Sequence, residues 1–156
     1  DQDDVLYIDM HSDGVKGEEL KIPLAGKNCP LVEPNSPKNQ FVFMNGKEIY
    51  KFAISVIPES IKRAADNAGI NLEDVDNFVL HQANIRIIES IAAKLGISQD
   101  KFFANLHKYG NTSSASIAIA LSEAIAEGAV KKNALVVMSG FGAGLTWATA
   151  IVRLKI

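Results

Sequence analysis

The order of apolar and polar positions along the chain shows two different periods, and together they predict an α/β fold. Short apolar runs bounded by turn residues are typical of strands buried in a sheet. Longer segments in which apolar residues recur every three or four positions are typical of helices packed on that sheet. The predicted order is β-α-β-α-β-α-β-β, which gives a five-stranded mixed, mostly parallel sheet with helices on both faces.

Five apolar runs are predicted to be strands, and three periodic segments are predicted to be helices. The strands are predicted at residues 5–8, 75–80, 102–107, 134–139 and 145–154. The helices are predicted at residues 47–69, 85–96 and 111–128, each ending at a glycine that suits a C-terminal cap. Pro58 inside the first helix predicts a kink or a missing backbone hydrogen bond. A short glycine loop, GFGAG, joins the last two strands, which are therefore predicted to pair antiparallel.

Length and composition predict one domain over residues 1–156. The chain has 156 residues, of which 47% are apolar, and this is enough for one core. Residues 11–45 are rich in glycine, proline, asparagine and lysine and are predicted to form a long surface loop, a kind of segment that is often functional. The chain starts without methionine and enters a strand almost at once, so we expect it to be a piece of a longer protein.

Charge and cysteine content restrict the partners and the compartment. The net charge is −2 with both signs interleaved, which gives no indication of a nucleic-acid surface. The sequence has no apolar run of 18 residues and no signal-peptide pattern at its start, so no membrane partner is predicted. The single cysteine, Cys29, excludes an internal disulfide and favours the cytoplasm. No metal site is predicted.

Three polar stretches are predicted to follow parallel strands, at the sheet edge where α/β proteins bind ligands. They are HQAN at residues 81–84, KYGNTSS at residues 108–114, and GFGAG at residues 140–144. The first two place His81 and Asn111 at equivalent junctions, so neighbouring strands are predicted to bring them side by side. Two N–H donors that converge on one oxygen suit a reaction in which a carbonyl oxygen develops negative charge.

Simpler interpretations of the same residues stay open. A single histidine at a strand end is more often a structural hydrogen-bonding residue, and GNTS is also a common turn and helix cap. Ser113 or Ser114 with His81 suggests a hydrolase, although the G-x-S-x-G pattern is absent. Arg86 would place positive charge at the mouth of the site or simply face solvent. Cys29 has no helix start to activate it and is interpreted as an incidental thiol.

Four motifs in this order, MNGKEIYKFA, HQANIRI, YGNTSSASI and GFGAGLTW, strongly resemble the C-terminal half of a β-ketoacyl-acyl carrier protein synthase III. The resemblance extends from about Val5 to the end of the chain. It implies a thiolase-like fold of two similar halves, in which the N-terminal half supplies a nucleophilic cysteine. It also implies a reaction: the cysteine takes acetyl from acetyl-CoA, malonyl-acyl carrier protein loses CO₂, and the resulting carbanion attacks the thioester.

The resemblance assigns roles to seven residues. By this comparison His81 and Asn111 are catalytic donors to the malonyl thioester oxygen, and Arg86 docks the carrier protein. The positions that match cofactor-binding residues are Gly46 and Asn84 on the pantetheine arm, Phe141 beside the cysteine, and Ala143 in the oxyanion hole.

Two departures from the family pattern stand out. Tyr50 replaces a phenylalanine found in some members. Ala143 replaces a glycine, which would strain the loop if the position needs a positive φ.

The resemblance also implies partners and a limit on activity. The substrates are acetyl-CoA and malonyl-acyl carrier protein, with no permanently bound cofactor. The partners are acyl carrier protein, coenzyme A thioesters, the N-terminal half and a second copy in a homodimer. Cys29 lies outside every motif, so the chain alone is predicted to be inactive. A non-catalytic module that binds pantetheine or carrier protein is the alternative, and an autonomous thioester hydrolase is a further one.

Overall fold

The computed structural model describes residues 4–22 and 41–155, so Cys29 and the middle of the predicted long loop, residues 23–40, lie outside the described residues. The strands are β1 (Val5–Ser12), β2 (Leu20–Lys21), β3 (Phe43–Met44), β4 (Asn77–Leu80), β5 (Leu135–Gly142) and β6 (Thr146–Arg153). The α-helices are α1 (Gly46–Ala68), α2 (Ile85–Leu95), α3 (Leu106–Tyr109) and α4 (Ser116–Ala126). Short 3-10 helices lie at Gly14–Glu19, Leu72–Asp74, Gln99–Lys101 and Ser113–Ala115.

Four of the strands form one mixed sheet in the order β1-β6-β5-β4. Strands β4 and β5 are parallel, with Phe78 opposite Val137, and β6 is antiparallel to both of its neighbours. Strands β1, β4 and β5 therefore share one direction, and β6 runs the other way. The predicted antiparallel pairing of the last two strands is confirmed.

The predicted strand at residues 102–107 is wrong in its extent. Its only ladder contact in the described sheet is a parallel bridge between Phe102 and Phe78, whose rings stack with centroids 4.6 Å apart. The Phe103 N–H donates to the Phe78 carbonyl at 3.0 Å. The next backbone donor, Asn105 N–H, bonds to the Gln82 side chain instead of to a strand, and the chain then turns into α3. A side-chain amide thus ends the ladder before a fifth strand can form.

Alternating side chains of the sheet face two separate apolar layers. Phe78 and Leu80 point to the side that carries α1 and α2, where Ile61 and Ile91 are fully buried. Val79, between them, faces α4. Burying one such large aliphatic side chain contributes about 2 kcal/mol, and this holds both helix layers on the sheet. The predicted helices on both faces are confirmed.

Local sequence determines where the long helices begin and end. The Asn45 side chain accepts a hydrogen bond from the Glu48 N–H at the start of α1. The same helix ends at Gly69, whose φ of 67° is the left-handed conformation that glycine tolerates. The predicted ends at Gly69 and Gly96 are confirmed. Helix α4 begins at Ser116 rather than at residue 111, because the preceding residues form a turn and a 3-10 helix.

Two predicted boundaries on the sheet are wrong. Strand β1 continues to Ser12, since it pairs with β6 through Thr146. Strand β5 continues through Phe141 to Gly142, so the glycine loop is shorter than predicted. No helix in the described ranges, 4–22 and 41–155, combines the length and apolarity that crossing a bilayer requires.

Candidate active site

His81 directly follows β4 and lies against the end of β5. Its backbone N–H donates to the Ser139 carbonyl at 2.8 Å, which extends the parallel ladder by one residue. The ring is half-buried and meets the Phe141 ring edge-on, with centroids 5.3 Å apart. Gly140 permits Ile117 of α4 to pack closely here, since a Cβ at residue 140 would lie only 3.1 Å from the Ile117 side chain.

The His81 imidazole is held by a buried serine at the start of α4. Its Nδ1 lies 2.5 Å from the Ser116 Oγ, and Ser116 is only 1% exposed. The same Oγ accepts the Gln82 backbone N–H at 3.3 Å. Burial lowers the pKa of His81, because desolvation disfavours the charged ring. At neutral pH the ring is therefore uncharged, with one nitrogen that donates and one that accepts.

Asn111 lies in the exposed loop between α3 and α4. Its Oδ1 accepts the Ser113 N–H at 2.9 Å, which closes an Asx turn. The Nδ2 end makes no hydrogen bond to any described residue and is left available as a donor. His81 and Asn111 were predicted to follow two neighbouring strands. This is wrong for Asn111, because the predicted strand at residues 102–107 is reduced to a single bridge at Phe102. The loop of Asn111 is connected to His81 through the start of α4.

Gln82 forms the buried connection that replaces the missing strand ladder. It is 1% exposed, and its Nε2 donates to the carbonyls of Leu80 at 2.8 Å and Phe103 at 3.3 Å. Its Oε1 accepts the Asn105 N–H at 3.0 Å. The end of β4 is thus attached to the segment that leads to Asn111. Sequence reasoning missed Gln82, although a long polar side chain next to an apolar run was a usable signal.

Glu123 on α4 holds α3 in place. Its carboxylate accepts from the Asn105 side chain at 2.7 Å, the Lys108 Nζ at 2.8 Å and the Tyr109 hydroxyl at 3.1 Å. Lys108, and then Asn105, lower the pKa of Glu123 through these bonds. Lys108 also donates to Glu127 at 2.9 Å. The short helix before the Asn111 loop is therefore secured by charge as well as by packing, which the sequence pattern did not reveal.

The serine in contact with His81 is not one of the two that the sequence suggested. Ser113 and Ser114 are exposed, and neither bonds to His81 in the described part of the chain. Ser116 does contact the ring, but its burial denies it access to a substrate. Because a nucleophile must reach its substrate, this geometry offers no support for a serine hydrolase.

Three further predicted residues lie at the starts of α1 and α2. Gly46 is the first residue of α1, and Asn84 caps α2 by accepting the Arg86 N–H at 2.9 Å. The Arg86 side chain is exposed and forms no ion pair with a described residue. The Tyr50 hydroxyl bonds to the Ser90 Oγ at 2.9 Å, so the extra oxygen relative to phenylalanine joins the two helices.

Comparison with known proteins identifies the family of this chain. Residues 65–154 match the protein family described as 3-oxoacyl-[acyl-carrier-protein (ACP)] synthase III C terminal. The chain belongs to this family. The β-ketoacyl-[acyl-carrier-protein] synthase III of Clostridium perfringens is 45% identical over 150 residues, which cover 96% of this chain and 46% of the relative.

Solved structures of synthase III proteins have the same fold. The Thermus thermophilus protein superimposes with a TM-score of 0.85 at 38% identity, over 96% of this chain and 46% of the other. The Pseudomonas aeruginosa protein gives 0.86 at 30% identity, over 97% and 44%. The predicted family and fold class are confirmed, and the chain spans about half the length of the curated relatives it matches.

In the glycine loop of this synthase III chain, the residue with a positive φ is Gly144. Its φ is 138°, and a Cβ there would lie 2.7 Å from the Thr146 side chain. Ala143 is exposed and is not among the described residues with positive φ. The replacement of the family glycine by Ala143 therefore causes no backbone strain. Whether its N–H contributes to an oxyanion hole stays a prediction, as do the roles of Gly46, Asn84 and Phe141.

Proposed function

We propose that this chain is the C-terminal half of a condensing enzyme that starts type II fatty acid synthesis. The whole enzyme joins acetyl-CoA and malonyl-acyl carrier protein to acetoacetyl-acyl carrier protein, with release of CoA and CO₂. Family membership and the names of its relatives support this reaction. The structural observation that carries the proposal is an uncharged, half-buried His81 at the sheet edge, attached through α4 to the loop of Asn111.

These two side chains would act on the decarboxylation step. When malonyl loses CO₂, the electron pair of the broken C–C bond remains on the substrate, and the thioester oxygen takes up negative charge as an enolate. The His81 N–H and the Asn111 amide N–H stabilise that oxygen, and they do so without reorganisation because both are held by the protein. The enolate carbon then attacks the acetyl thioester on the cysteine of the other half, and the thiolate leaves.

The surroundings of His81 suit a donor better than a proton-transferring acid. The lowered pKa keeps the ring neutral near pH 7, so its N–H is retained when the enolate collapses. The Phe141 ring packs edge-on against it and covers part of its surface, and a lower local dielectric strengthens a hydrogen bond to an anionic oxygen.

Substrate delivery would use the exposed starts of α1 and α2. The Arg86 side chain is exposed and forms no ion pair within residues 4–22 and 41–155, so it is suited to an acidic carrier protein, since complementary charge speeds association. Gly46 and Asn84 would border the pantetheine arm, with Phe141 and the Ala143 N–H close to the cysteine. Homodimer formation by the whole enzyme and a cytoplasmic location belong to the same proposal.

The chain alone would not condense its substrates, because Cys29 lies outside every motif. The test is a chimaera in which this chain replaces the matching half of the Clostridium perfringens synthase III. Radioactive acetyl-CoA and malonyl-acyl carrier protein are supplied, and acetoacetyl-acyl carrier protein is measured. We expect product from the chimaera and none from the chain alone.

Two outcomes would contradict the proposal. A folded chimaera without turnover would favour the alternative of a non-catalytic module that binds pantetheine or carrier protein. Stable acetylation of Cys29 in the isolated chain, detected by mass spectrometry, would contradict the assignment of the nucleophile to the other half.

A further inference from the structure

Ser116 is the residue whose contacts the reaction scheme leaves unexplained. It is buried at the first turn of α4, and its hydroxyl lies between the Nδ1 of His81 and the backbone N–H of Gln82. The family resemblance assigned it no role. Its position directly behind the donor ring suggests that it determines which ring nitrogen carries the proton.

The hydrogen-bond directions around Ser116 can be worked out from its neighbours. The Gln82 N–H is always a donor, so it occupies a lone pair of the Ser116 oxygen. Ser116 makes no other hydrogen bond to a described residue apart from the one to His81. If Nδ1 carried the proton, the serine would accept twice, and its own buried O–H would have no acceptor. If Nδ1 is bare, the serine donates to it and every group is satisfied.

This choice has a direct effect on the opposite ring nitrogen. A neutral imidazole carries one proton, so a bare Nδ1 places it on Nε2. The His81 Nε2 makes no hydrogen bond to a described residue. Among the described residues, the buried side-chain polar atom that lacks a partner is Trp147 Nε1, so the unbonded His81 Nε2 is not fully buried. The His81 Nε2 is therefore reached from outside the core, on the side where a substrate oxygen could approach.

We propose that Ser116 is a positioning residue: its O–H donates to the His81 Nδ1 and fixes the ring as the Nε2–H tautomer, with the N–H facing the substrate. The inference rests on the proposed function, because a fixed donor matters only if His81 acts on a developing oxyanion. Beyond the proposed function, Ser116 is assigned as the group that determines the tautomer of His81, and Nε2 as the nitrogen that donates.

The first test reads the tautomer in the 156-residue chain itself. Long-range ¹H–¹⁵N correlation spectra of histidine-labelled protein show which ring nitrogen is protonated, and the His81→Gln variant assigns the signal among the three histidines. We expect Nε2–H in the unmodified chain, and in Ser116→Ala a mixture of both tautomers. Ser122→Ala, which alters an exposed serine on the same helix, is the matched control and should leave the spectrum unchanged.

The second test measures rate in the chimaera with the Clostridium perfringens half. Ser116→Ala should lower the kcat of malonyl-acyl carrier protein decarboxylation by about tenfold, the lower end of the effect of a missing supporting hydrogen bond, without raising KM. Ser116→Thr keeps the hydroxyl and should restore the Nε2–H signal and most of the rate. If Ser116 had a purely structural role, Ser116→Ala would lower stability but would not lower kcat at an unchanged KM.

The outcomes separate this inference from the proposed function. An Nδ1–H signal in the unmodified chain overturns the role of Ser116, whatever the rates are. A Ser116→Ala variant with an unmixed Nε2–H signal and full kcat overturns it as well. If Ser116→Ala does not fold, the tautomer of the unmodified chain and the Ser116→Thr variant decide. An Nε2–H signal with an inactive chimaera leaves the hydrogen bond in place and contradicts the proposed function.

Discussion

Asp9 and His81 each lie in a buried polar network of the described residues, and the two networks differ in which polar atoms they leave without a hydrogen bond. Asp9 on β1 is 6% exposed and accepts two hydrogen bonds from Arg63, at 2.9 and 2.8 Å. It also accepts from the Ser60 hydroxyl at 2.7 Å and lies 2.8 Å from the His11 Nε2. The Arg63 guanidinium holds the pKa of Asp9 well below its usual range.

The Asp9 network continues through hydroxyl groups between the sheet and α1. Ser60 lies 2.8 Å from the Thr149 Oγ1, which in turn lies 2.8 Å from the Ser139 Oγ. The Ser139 hydroxyl is the last member of this series of hydroxyl groups, and it donates to the Ala148 carbonyl. The network joins β1, α1, β6 and β5. Each of its hydroxyl groups has a partner within the protein, so the network leaves no hydroxyl group for a ligand.

The His81 network has the opposite property. The His81 Nδ1 is bonded to Ser116, and both ends of the neighbouring Gln82 side chain are bonded, but the His81 Nε2 and the Asn111 Nδ2 make no hydrogen bond to a described residue. An unsatisfied donor held in place by a satisfied network is what oxyanion stabilisation requires. The Asp9 network is therefore a scaffold and the His81 network a candidate site, because the second leaves donors available to a ligand.

The largest expected effect is on rate, at the two available donors. In the chimaera, His81→Ala should lower kcat by about 10²–10³, because one donor to the enolate is lost. Asn111→Asp should lower it at least as much, since a carboxylate repels the developing charge. Turnover of acetyl-CoA and malonyl-acyl carrier protein is the measurement. Activity within threefold of the unmodified chimaera in both variants would remove the distinction between the two networks.

The Asp9 network should respond in stability and not in rate. Asp9→Asn should lower the free energy of unfolding by about 2 kcal/mol, less than for a fully buried pair because the Arg63 side chain is 43% exposed. Urea unfolding measures the change, and kcat below the unfolding temperature should be unaffected. Asp66→Asn alters an exposed aspartate on α1, the helix that carries Arg63; it is the control and should change stability by about 0.5 kcal/mol or less.

Gln82 should affect both properties, because it belongs to the scaffold of the site. Gln82→Leu leaves buried backbone groups of Leu80, Phe103 and Asn105 without partners, which should cost about 2 kcal/mol of stability. It should also lower kcat, since the loop of Asn111 loses its attachment to β4. Gln99→Leu, at an exposed position, is the control for added apolarity. Unchanged unfolding in urea would show that this connection is dispensable.

The two networks should also separate in their dependence on pH. The folded pKa of His81 is lowered, so the unfolded chain binds the proton first, and stability should begin to fall below about pH 6.5. The folded pKa of Asp9 is lowered too, so its contribution is present above about pH 4 and lost as the pH falls further. His81→Gln should reduce the loss of stability that begins below about pH 6.5, and Asp9→Asn the loss that begins below about pH 4. Urea titrations from pH 8 to pH 3 test this order.

The smallest expected effect is at the exposed edge of the site. Glu123→Gln weakens the attachment of α3 to α4 and should lower kcat by about tenfold or less, through displacement of the Asn111 loop. Glu127→Gln removes only the second contact of Lys108 and is the matched control. Equal effects of the two variants would mean that the charge of Lys108 matters more than the position of α3.

Much of the fold was predictable because its signals are local. The periodicity and Gly69 predicted α1 to within a residue or two, and the apolar runs predicted β4, β5 and β6. The early end of the predicted strand at residues 102–107 could not be predicted, because it arises where the distant Gln82 side chain accepts the Asn105 N–H and ends the ladder. The start of α4 was displaced for a similar reason, since the Asn111 side chain bonds to the Ser113 N–H and closes a turn.

The sequence by itself determined the helices, the alternation of strand faces, the family and the identity of His81 and Asn111 as candidates, because each of these depends on nearby residues or on motifs. Tertiary structure alone decided the state of those candidates. The hydrogen bond between His81 and Ser116 joins residues 35 positions apart, and the bond between Gln82 and Asn105 joins residues 23 apart. Desolvation and hydrogen-bond direction arise only when such distant segments pack together, and they determine which nitrogen of His81 can donate.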